Sequence, residues 1–291
     1  VKSDGLSLVL TGKSWSEAAD ILRKRYERVL QRSEKVTSDD VFETLMNAYA
    51  TAYDPHSNYY SPRSSEEYRI QMSLSYEGIG AQLQLVDDYV TVSGLLPGGA
   101  AQAAGTLKVN DRIVAVGQGH DGEMLEVIGW RLDDVVQKIR GKIGTVVRLQ
   151  ILPAGAAPGP DEHVVELTRN KVTLEAQAAK KELRQIENAG RRLRVGVVTV
   201  PGFYEDSAAR RDGDPNYRST TRDVRRLIGE LKAEGGIDAL VLDLRGDGGG
   251  FLQEATALTG LFIDQGPVVQ VRDTDGRVDV LDDPEAGVAW S

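Results

Sequence analysis

The chain has 291 residues, of which 41% are hydrophobic and 27% charged, and it carries a formal net charge of -9. This length predicts two or three packed units, and this composition excludes wholesale disorder and fibrous architectures. The excess of acidic residues argues against a nucleic-acid partner, because binding phosphates requires a concentrated basic face. No apolar stretch is long enough to cross a bilayer, so we expect no membrane-spanning segment.

Cysteine is absent, which excludes disulfides, thiolate metal ligands and a cysteine nucleophile within this sequence. The histidines are His56, His120 and His163. They lie far apart, without the short spacing that metal ligands share, which favours solvent-facing or hydrogen-bonding roles over metal binding. We therefore expect no metal site.

The amino-terminal region is predicted to be helical. Apolar residues recur at helical spacing over 14–31, where Ser14 and Glu17 form a capping box at the start. A second helix is predicted from residue 38 or 39 to about residue 51, because the Asp54-Pro55 pair stops helices. We assign residues 1–75 to this region.

Strand-like alternation begins after the helical region. Segment 79–85 alternates apolar and polar residues, and Asp87-Asp88 turns the chain into a second strand over 89–92, which predicts a β-hairpin. The same patterns predict further strands over 112–116, 147–151 and 164–167, and short helices over 98–105 and 130–139. Residues 153–160 have the composition of a hairpin tip. We expect a small β-rich domain with two helices over 76–167.

The last region, 168–291, has a βαβ pattern. Strands over 195–200 and 239–244 flank a helix over 223–234. The continuous apolar run of the second strand is typical of a strand buried on both faces. A further helix just past Gly250 and a strand over 268–271 are predicted, so we assign the whole chain to the α+β class.

A glycine-rich loop joins the strand over 239–244 to the predicted helix past Gly250, with the sequence Gly246-Asp247-Gly248-Gly249-Gly250. Glycines at such a junction let the backbone approach a ligand, and the N–H groups of a helix start can hold an anion or a developing oxyanion. A tight strand-to-helix connection explains the same pattern without any function. A nucleotide-binding loop is disfavoured, since neither the dinucleotide fingerprint nor the P-loop is matched.

The segment Tyr76-Glu77-Gly78-Ile79-Gly80-Ala81 is suited to binding a carboxylate. Glycines before a strand can direct backbone N–H groups at the terminal carboxylate of a peptide, and the following strand can pair with that peptide. Leu83, Val135 and Val136 are suited to the walls of a groove between strand and helix. Core packing is the more ordinary interpretation of such residues, and residue type alone does not decide.

The order of motifs along nearly the entire chain resembles the tail-specific branch of the carboxyl-terminal processing peptidases, family S41. The matching segments, in order, are 54–62 (DPHSNYYSP), 72–81 (MSLSYEGIGA), 127–136 (VIGWRLDDVV), 151–155 (ILPAG), 201–204 (PGFY) and 243–250 (DLRGDGGG). The resemblance implies a PDZ domain that binds an apolar carboxyl terminus of a target protein. It also implies that a serine and a lysine cut the target. Such a pair is chemically reasonable, because a desolvated lysine can be neutral and accept the serine proton.

The resemblance implies roles for individual residues. Gly78, Ile79, Gly80 and Ala81 would form the carboxylate loop, Leu83 would line the peptide groove, and Leu174 would belong to the peptide-binding residues, at the hinge of the PDZ domain that senses substrate. Gly249 and Gly250 become candidates for the oxyanion hole. The implied partners are carboxyl-terminal peptides of unfolded or tagged proteins, with an adaptor protein as a further candidate. The implied location is the periplasm, with peripheral association with the inner membrane as an option, and no metal or organic cofactor is implied.

The sequence departs from the family pattern at its end. The nucleophilic serine and the lysine of the family lie in segments that would follow Ser291, so we expect an incomplete protease core that is inactive alone. The serines and the lysine that are present lack that context, among them Ser61, Ser64, Ser65, Ser207 and Lys171. A non-catalytic peptide-binding adaptor is the alternative. Asp247 stands where relatives often carry Asn, and we expect its carboxylate to face away from the oxyanion site or to be hydrogen-bonded.

Overall fold

The computed structural model describes residues 1–188, 190–283 and 286–291, apart from the side chains of residues 28, 29, 31, 32 and 188. The chain divides into two compact units, Val1–Glu66 and Glu67–Ser291.

The first unit is helical, as predicted. It contains α1 (Lys2–Leu10), α2 (Trp15–Glu34), α3 (Ser38–Tyr53) and the start of α4 (Pro62–Ser73). The capping box before α2 is confirmed, since Ser14 N donates to Glu17 Oε2 at 2.8 Å and Glu17 N donates to Ser14 Oγ at 3.3 Å. Sequence reasoning missed α4, although Ser61 before Pro62 is a recognisable start signal, and Ser64 N donates to Ser61 Oγ.

The second unit begins with a β-rich part. In chain order it contains β1 (Ser75–Gly78), β2 (Ala81–Val86), β3 (Tyr89–Leu95), α5 (Ala100–Ala104), β4 (Arg112–Gln118), β5 (Met124–Glu126), α6 (Leu132–Ile139), β6 (Val146–Leu152), β7 (His163–Thr168) and β8 (Asn170–Thr173). An antiparallel sheet has the order β2-β3-β4-β6-β7, with β5 paired to β4. The predicted hairpin over 79–92 is confirmed, and so is the hairpin around 153–160.

The core of this part lies under the central strands. Alternate residues of β3, β6 and β7 point inward, which is the period-2 pattern expected of strands. The core is formed by buried aliphatic side chains, among them Val90, Val92, Ile113, Val116, Leu149, Ile151 and Leu167.

A separate pair of strands, β1 and β8, was not predicted. They form a two-stranded antiparallel sheet in which Gly78 is opposite Asn170 and Ser75 is opposite Thr173. Along the chain, β1 precedes and β8 follows the other strands of the β-rich part, so the chain enters this part through β1 and leaves it through β8. We call this pair the hinge sheet.

The last part of the chain contains a short 3-10 helix (Glu175–Gln177), β9 (Lys180–Asn188), β10 (Arg191–Thr199), α7 (Ser207–Arg211), α8 (Thr220–Ala233), β11 (Ala239–Asp243), α9 (Leu252–Thr259), β12 (Gly266–Arg272) and β13 (Val278–Asp283). Strand β10 lies between β9 and β11 and runs parallel to β11, which confirms the βαβ pattern. Helix α8 starts earlier than predicted, because Ser219 Oγ accepts from Arg222 N and caps it.

The prediction of a strand buried on both faces at 239–244 is wrong. Among the described strands β11 pairs only with β10, so it lies at the edge of a three-stranded sheet. Its middle residue, Val241, is 47% exposed. An apolar run predicts strand structure but cannot report how many layers cover it.

Candidate functional site

A cavity of about 380 Å³ lies between β2 and α6. Its apolar lining comes from both elements and from the loop before β2, and consists of Ile79, Ala81, Leu83, Val136 and Ile139. The other lining residues are Tyr76, Gln82, Ser93 and Arg140. The structure therefore brings together four residues that the sequence proposed for a peptide groove. We call this cavity the groove.

The two neighbouring valines of α6 have different surroundings. Val136 lines the groove, whereas Val135 is 0% exposed and packs in the core. Consecutive residues of a helix point about 100° apart, so they cannot both face the groove. The predicted groove position of Val135 is corrected to the core, and Ile139, which sequence reasoning did not select, lies in the lining instead.

The loop before β2 is oriented by its carbonyl groups. The Ile79 carbonyl accepts from Ala101 N at 2.8 Å, and the Gly80 carbonyl accepts from Leu96 N at 2.8 Å. In a trans peptide the N–H points opposite to the preceding C=O, so the amides of Gly80 and Ala81 point away from these partners. Gly80 has a φ of 74°, and a Cβ there would meet Gly99 Cα at 2.7 Å, so both the turn and the close approach require glycine.

Arg140 lies at the same end of the groove as this loop, and sequence reasoning missed it. Its guanidinium lies 5.2 Å from the centre of the Tyr76 ring, and it forms an ion pair with Glu67. Burial raises the pKa of Tyr76. A Cβ on Gly78 would approach both Tyr76 and Arg140 Cγ, which places the arginine beside the predicted carboxylate loop. A cation and two outward amides can together hold a carboxylate.

Leu174 lies outside the groove, at the carboxyl end of the hinge sheet. Its N–H donates to the Leu74 carbonyl at 2.8 Å, so the segments that flank β1 and β8 are joined there. It packs beside a small buried cluster of Leu74, Ala178 and Tyr204. Contact between Leu174 and a peptide in the groove stays a prediction.

The hinge sheet carries a serine and a lysine that meet at one carboxylate. Lys171 Nζ lies 2.7 Å from Asp206 Oδ2, and Ser75 Oγ donates to the same oxygen at 3.3 Å. Burial favours a raised pKa for Asp206, but the bonds from Lys171 and from Ala209 N outweigh it and the pKa lies below its usual value. Both side chains are thus engaged by Asp206.

The glycine loop after β11 is held against the segment that follows β10. Phe203 N donates to the Gly249 carbonyl at 2.9 Å, and Phe251 N donates to the Phe203 carbonyl at 2.8 Å. A Cβ on Gly250 would lie 2.2 Å from the Phe203 oxygen, so this contact requires glycine. Because the Gly249 carbonyl points at Phe203, the Gly250 amide points away from it.

Asp247 is hydrogen-bonded, as expected for it. Its Oδ1 accepts from Gly249 N at 2.6 Å, while its Oδ2 is buried and has no hydrogen-bond partner in the described structure. The Gly249 amide is thus engaged by a carboxylate of its own loop. Of the two oxyanion candidates, Gly250 is the better placed to donate to an external oxygen.

A second cavity, of about 610 Å³, lies beside α8 and α9 and is lined by four arginines, Arg210, Arg222, Arg225 and Arg226. Carboxylates compensate much of this charge. Arg210 pairs with Glu205 at 2.7 Å, and Arg226 pairs with Asp223 at 3.0 Å and Glu230 at 2.6 Å. The buried carboxyl of Glu254 also lines the cavity, and burial raises its pKa.

The described part of the chain has neither a metal site nor a membrane-spanning helix. No group of three or more His, Cys, Asp or Glu side chains there is arranged to hold a metal ion. No described helix combines the length and the apolar character needed to cross a membrane.

Known families match the chain over most of its length. The models that match are the tail-specific protease N-terminal domain at residues 1–63, the PDZ domain at 67–152 and peptidase family S41 at 194–289. The tail-specific protease of Haemophilus influenzae is 40% identical over 286 residues, which are 98% of this chain. The chain carries the three domains of a tail-specific protease. The expected α+β architecture of helical region, PDZ domain and protease core is thereby confirmed.

The relatives are longer proteins. This chain spans 38% of the Haemophilus tail-specific protease. The carboxy-terminal processing protease CtpA of Bacillus subtilis is 26% identical over 97% of this chain, which spans 56% of that protein. A solved PDZ domain of the carboxy-terminal protease from Vibrio cholerae, in complex with peptide, has 46% identity over 35% of this chain and 100% of that chain, with a TM-score of 0.33.

The two candidate sites fall in different domains of the chain. All the residues that line the groove, from Tyr76 to Arg140, lie within the PDZ match. The glycine loop lies within the S41 match. The segment from Phe203 to Asp206 binds that loop through Phe203 and the hinge sheet through Asp206.

Proposed function

We propose that this chain selects substrates for a serine protease by binding the apolar carboxyl terminus of a target protein in its groove. The observation that carries the proposal is the combination of features at one end of the groove. The amides of Gly80 and Ala81 point away from their own loop, Arg140 supplies a positive charge, and the adjoining walls are aliphatic. A terminal carboxylate and an apolar last side chain have matching chemistry.

The whole enzyme, in this proposal, cleaves the bound protein in the periplasm with a Ser-Lys dyad, and Gly250 donates to the oxyanion. The similarity to the tail-specific protease of Haemophilus influenzae supports hydrolysis, and the loop geometry supports Gly250 as a donor. An oxyanion-hole donor stabilises the charge that develops on the carbonyl oxygen in the transition state. Hydrolysis of a tailed protein by the whole enzyme would separate this function from that of a non-catalytic adaptor.

The recognition step predicts that binding depends on the free carboxylate. We expect a fluorescent peptide that ends in valine to bind, and its amidated form to bind about tenfold to a hundredfold more weakly, since hydrogen bonds to a charged group contribute about 1.5–3 kcal/mol. Fluorescence anisotropy at constant ionic strength measures both affinities. Equal affinities for the acid and the amide would rule out the carboxylate loop.

The chain of residues 1–291 is expected to have no peptidase activity. The serine and the lysine of the hinge sheet, Ser75 and Lys171, both bind Asp206, so they are not arranged as a nucleophile and its base. We expect no cleavage of an unfolded protein with an apolar tail, as followed by gel electrophoresis and mass spectrometry. Cleavage that disappears in the Ser75→Ala variant would show that the assignment is wrong.

A further inference from the structure

Arg169 is a buried arginine that lies between β7 and β8 and is 3% exposed. Burial lowers its pKa, yet an arginine stays protonated at neutral pH. A buried charge is unfavourable unless hydrogen bonds replace its water. The arrangement of those hydrogen bonds indicates what the side chain does.

Two of the guanidinium N–H groups bind the end of the groove helix. Nε donates to the Ile139 carbonyl at 2.8 Å, and Nη2 donates to the Lys138 carbonyl at 3.1 Å. These are the last two residues of α6, where carbonyls lack helical partners and the helix dipole is negative. The cation therefore caps α6, and Ile139 and the following Arg140 both line the groove.

The other three N–H groups fix the guanidinium to the rest of the domain. They donate to Gln118 Oε1 at 2.7 Å, Thr145 Oγ1 at 2.9 Å and the Val146 carbonyl at 3.1 Å. An arginine has five N–H donors in a rigid planar fork, and here all five are used. A side chain held in this way cannot move without breaking bonds to β4, to β6 or to α6.

The next residue, Asn170, binds the segments around the carboxylate loop. It pairs with Gly78 in the hinge sheet, and its Nδ2 donates to the Gly98 carbonyl at 3.1 Å. Gly99, which follows, contacts Gly80 of the carboxylate loop. Two consecutive residues at the exit of the PDZ domain thus bind the groove helix and the carboxylate loop respectively.

We propose that Arg169 is a positioning residue for peptide binding, which fixes the end of α6 at the distance from the carboxylate loop that a bound peptide requires. Arg169 does not line the groove and would act only through α6. This proposal rests on the proposed function, because it concerns the same groove. Its consequence is that peptide affinity depends on a side chain that never touches the peptide.

The test compares peptide affinity in Arg169→Gln and in the wild type, both as the full 291-residue chain. Glutamine cannot reach both α6 carbonyls and carries no charge, so the end of α6 loses these bonds and becomes less ordered. Peptide binding then has to order the end of α6, which lowers the affinity. We expect the valine-terminated peptide to bind about tenfold more weakly or worse. Arg169→Lys keeps the charge and is expected to recover part of the affinity.

Two matched variants separate positioning from general stability. Thr145→Val removes one acceptor of Arg169 but neither bond to α6, so its affinity is expected to stay within about twofold of the wild type. Val165→Ala opens the core at β7, which lies at the opposite edge of the sheet from β2. It is expected to lower the unfolding free energy and leave the affinity of the folded fraction unchanged.

Hydrogen exchange supplies a readout that does not need a peptide. Arg140 N donates to the Val136 carbonyl at 2.9 Å and Gly141 N donates to the Glu77 carbonyl at 3.4 Å, so both amides report the end of α6. In Arg169→Gln we expect these amides to exchange faster, while amides of β4 and β6 keep their protection relative to global unfolding. The Val165→Ala variant is expected to show no such local change.

The outcomes separate this proposal from the proposed function. If the wild type binds no peptide with a free carboxylate, the proposed function fails, and the exchange of Arg140 and Gly141 still tests the anchoring of α6. If Arg169→Gln binds as tightly as the wild type, or no more weakly than Val165→Ala, the positioning role is overturned. If Arg169→Gln does not fold, the same comparison is made with Arg169→Lys, and wild-type affinity with unchanged exchange in that variant overturns the proposal.

Discussion

Replacing Leu83 by asparagine is expected to lower the affinity for a peptide with an apolar last residue by about tenfold to a hundredfold. Leu83 is half-buried and lines the groove from β2, where its side chain can meet that of the peptide. Burying an apolar side chain contributes about 1.5–3 kcal/mol, and asparagine forfeits this contribution. Titration of the labelled peptide by fluorescence anisotropy gives the change in affinity.

The competing role for Leu83 is core packing, since it also contacts the buried cluster below β2. A matched control is Leu149→Ala in β6, where the side chain is fully buried. This variant is expected to lose about 2–5 kcal/mol of unfolding free energy and to keep its affinity in the folded fraction. If Leu83→Asn behaves in the same way in urea and in the titration, Leu83 belongs to the core and the groove assignment is wrong.

Local patterns were enough to predict most of the individual elements. The alternation around Leu83 and the turn at Asp87-Asp88 fix a hairpin, because both are properties of neighbouring residues. The spacing of apolar residues in α8 likewise predicts which face is buried. The groove did not follow from these patterns alone, since residue type left Leu83, Val135 and Val136 open to either a groove or a core role, and the resemblance to the family decided for the groove.

Contacts between segments that are distant in sequence could not be predicted from local patterns. The hinge sheet pairs Ser75-Tyr76-Glu77-Gly78 with Asn170-Lys171-Val172-Thr173, and neither segment has a marked period or a run of β-branched residues. The burial of Arg169 could not be predicted from the sequence, because an arginine is expected to be exposed unless its partners are known. The separation of Val135 from Val136 needs the rotation of α6 about its axis, which the sequence alone does not provide.

A buried tyrosine lies in the segment that binds the glycine loop through Phe203 and the hinge sheet through Asp206. Tyr204 is 2% exposed and lies between Phe203, which binds the glycine loop, and the carboxylates that bind the hinge strand and α7. Its hydroxyl donates to Asp223 Oδ2 at 2.7 Å and accepts from Ala179 N at 3.0 Å. One oxygen atom thereby joins α8 to the chain that leaves the hinge sheet.

Tyr204→Phe is expected to lower the free energy of unfolding by about 2–4 kcal/mol. The substitution keeps the ring but leaves the Ala179 N–H and one Asp223 oxygen without this partner, and each unsatisfied buried group costs about 1–3 kcal/mol. Urea denaturation followed by circular dichroism measures the loss. Tyr217→Phe is the control, because the Tyr217 ring packs on Arg222 and Arg210, and its change is expected to stay within about 0.5 kcal/mol.

The difference between the wild type and Tyr204→Phe is also expected to depend on pH. Burial raises the pKa of Tyr204 well above its usual value, with the bond to Asp223 acting in the same direction. Above about pH 10 the unfolded wild type loses this proton while the folded wild type keeps it, so its stability falls by up to about 1.4 kcal/mol per pH unit. Phenylalanine has no such proton, and the other titrating groups cancel in the comparison. The stability difference should therefore be constant between pH 7 and 9 and should narrow between pH 10 and 11. A difference that stays constant up to pH 11 would mean that Tyr204 ionises equally in both states, and that its hydroxyl is not held between Asp223 and Ala179 as the structure has it.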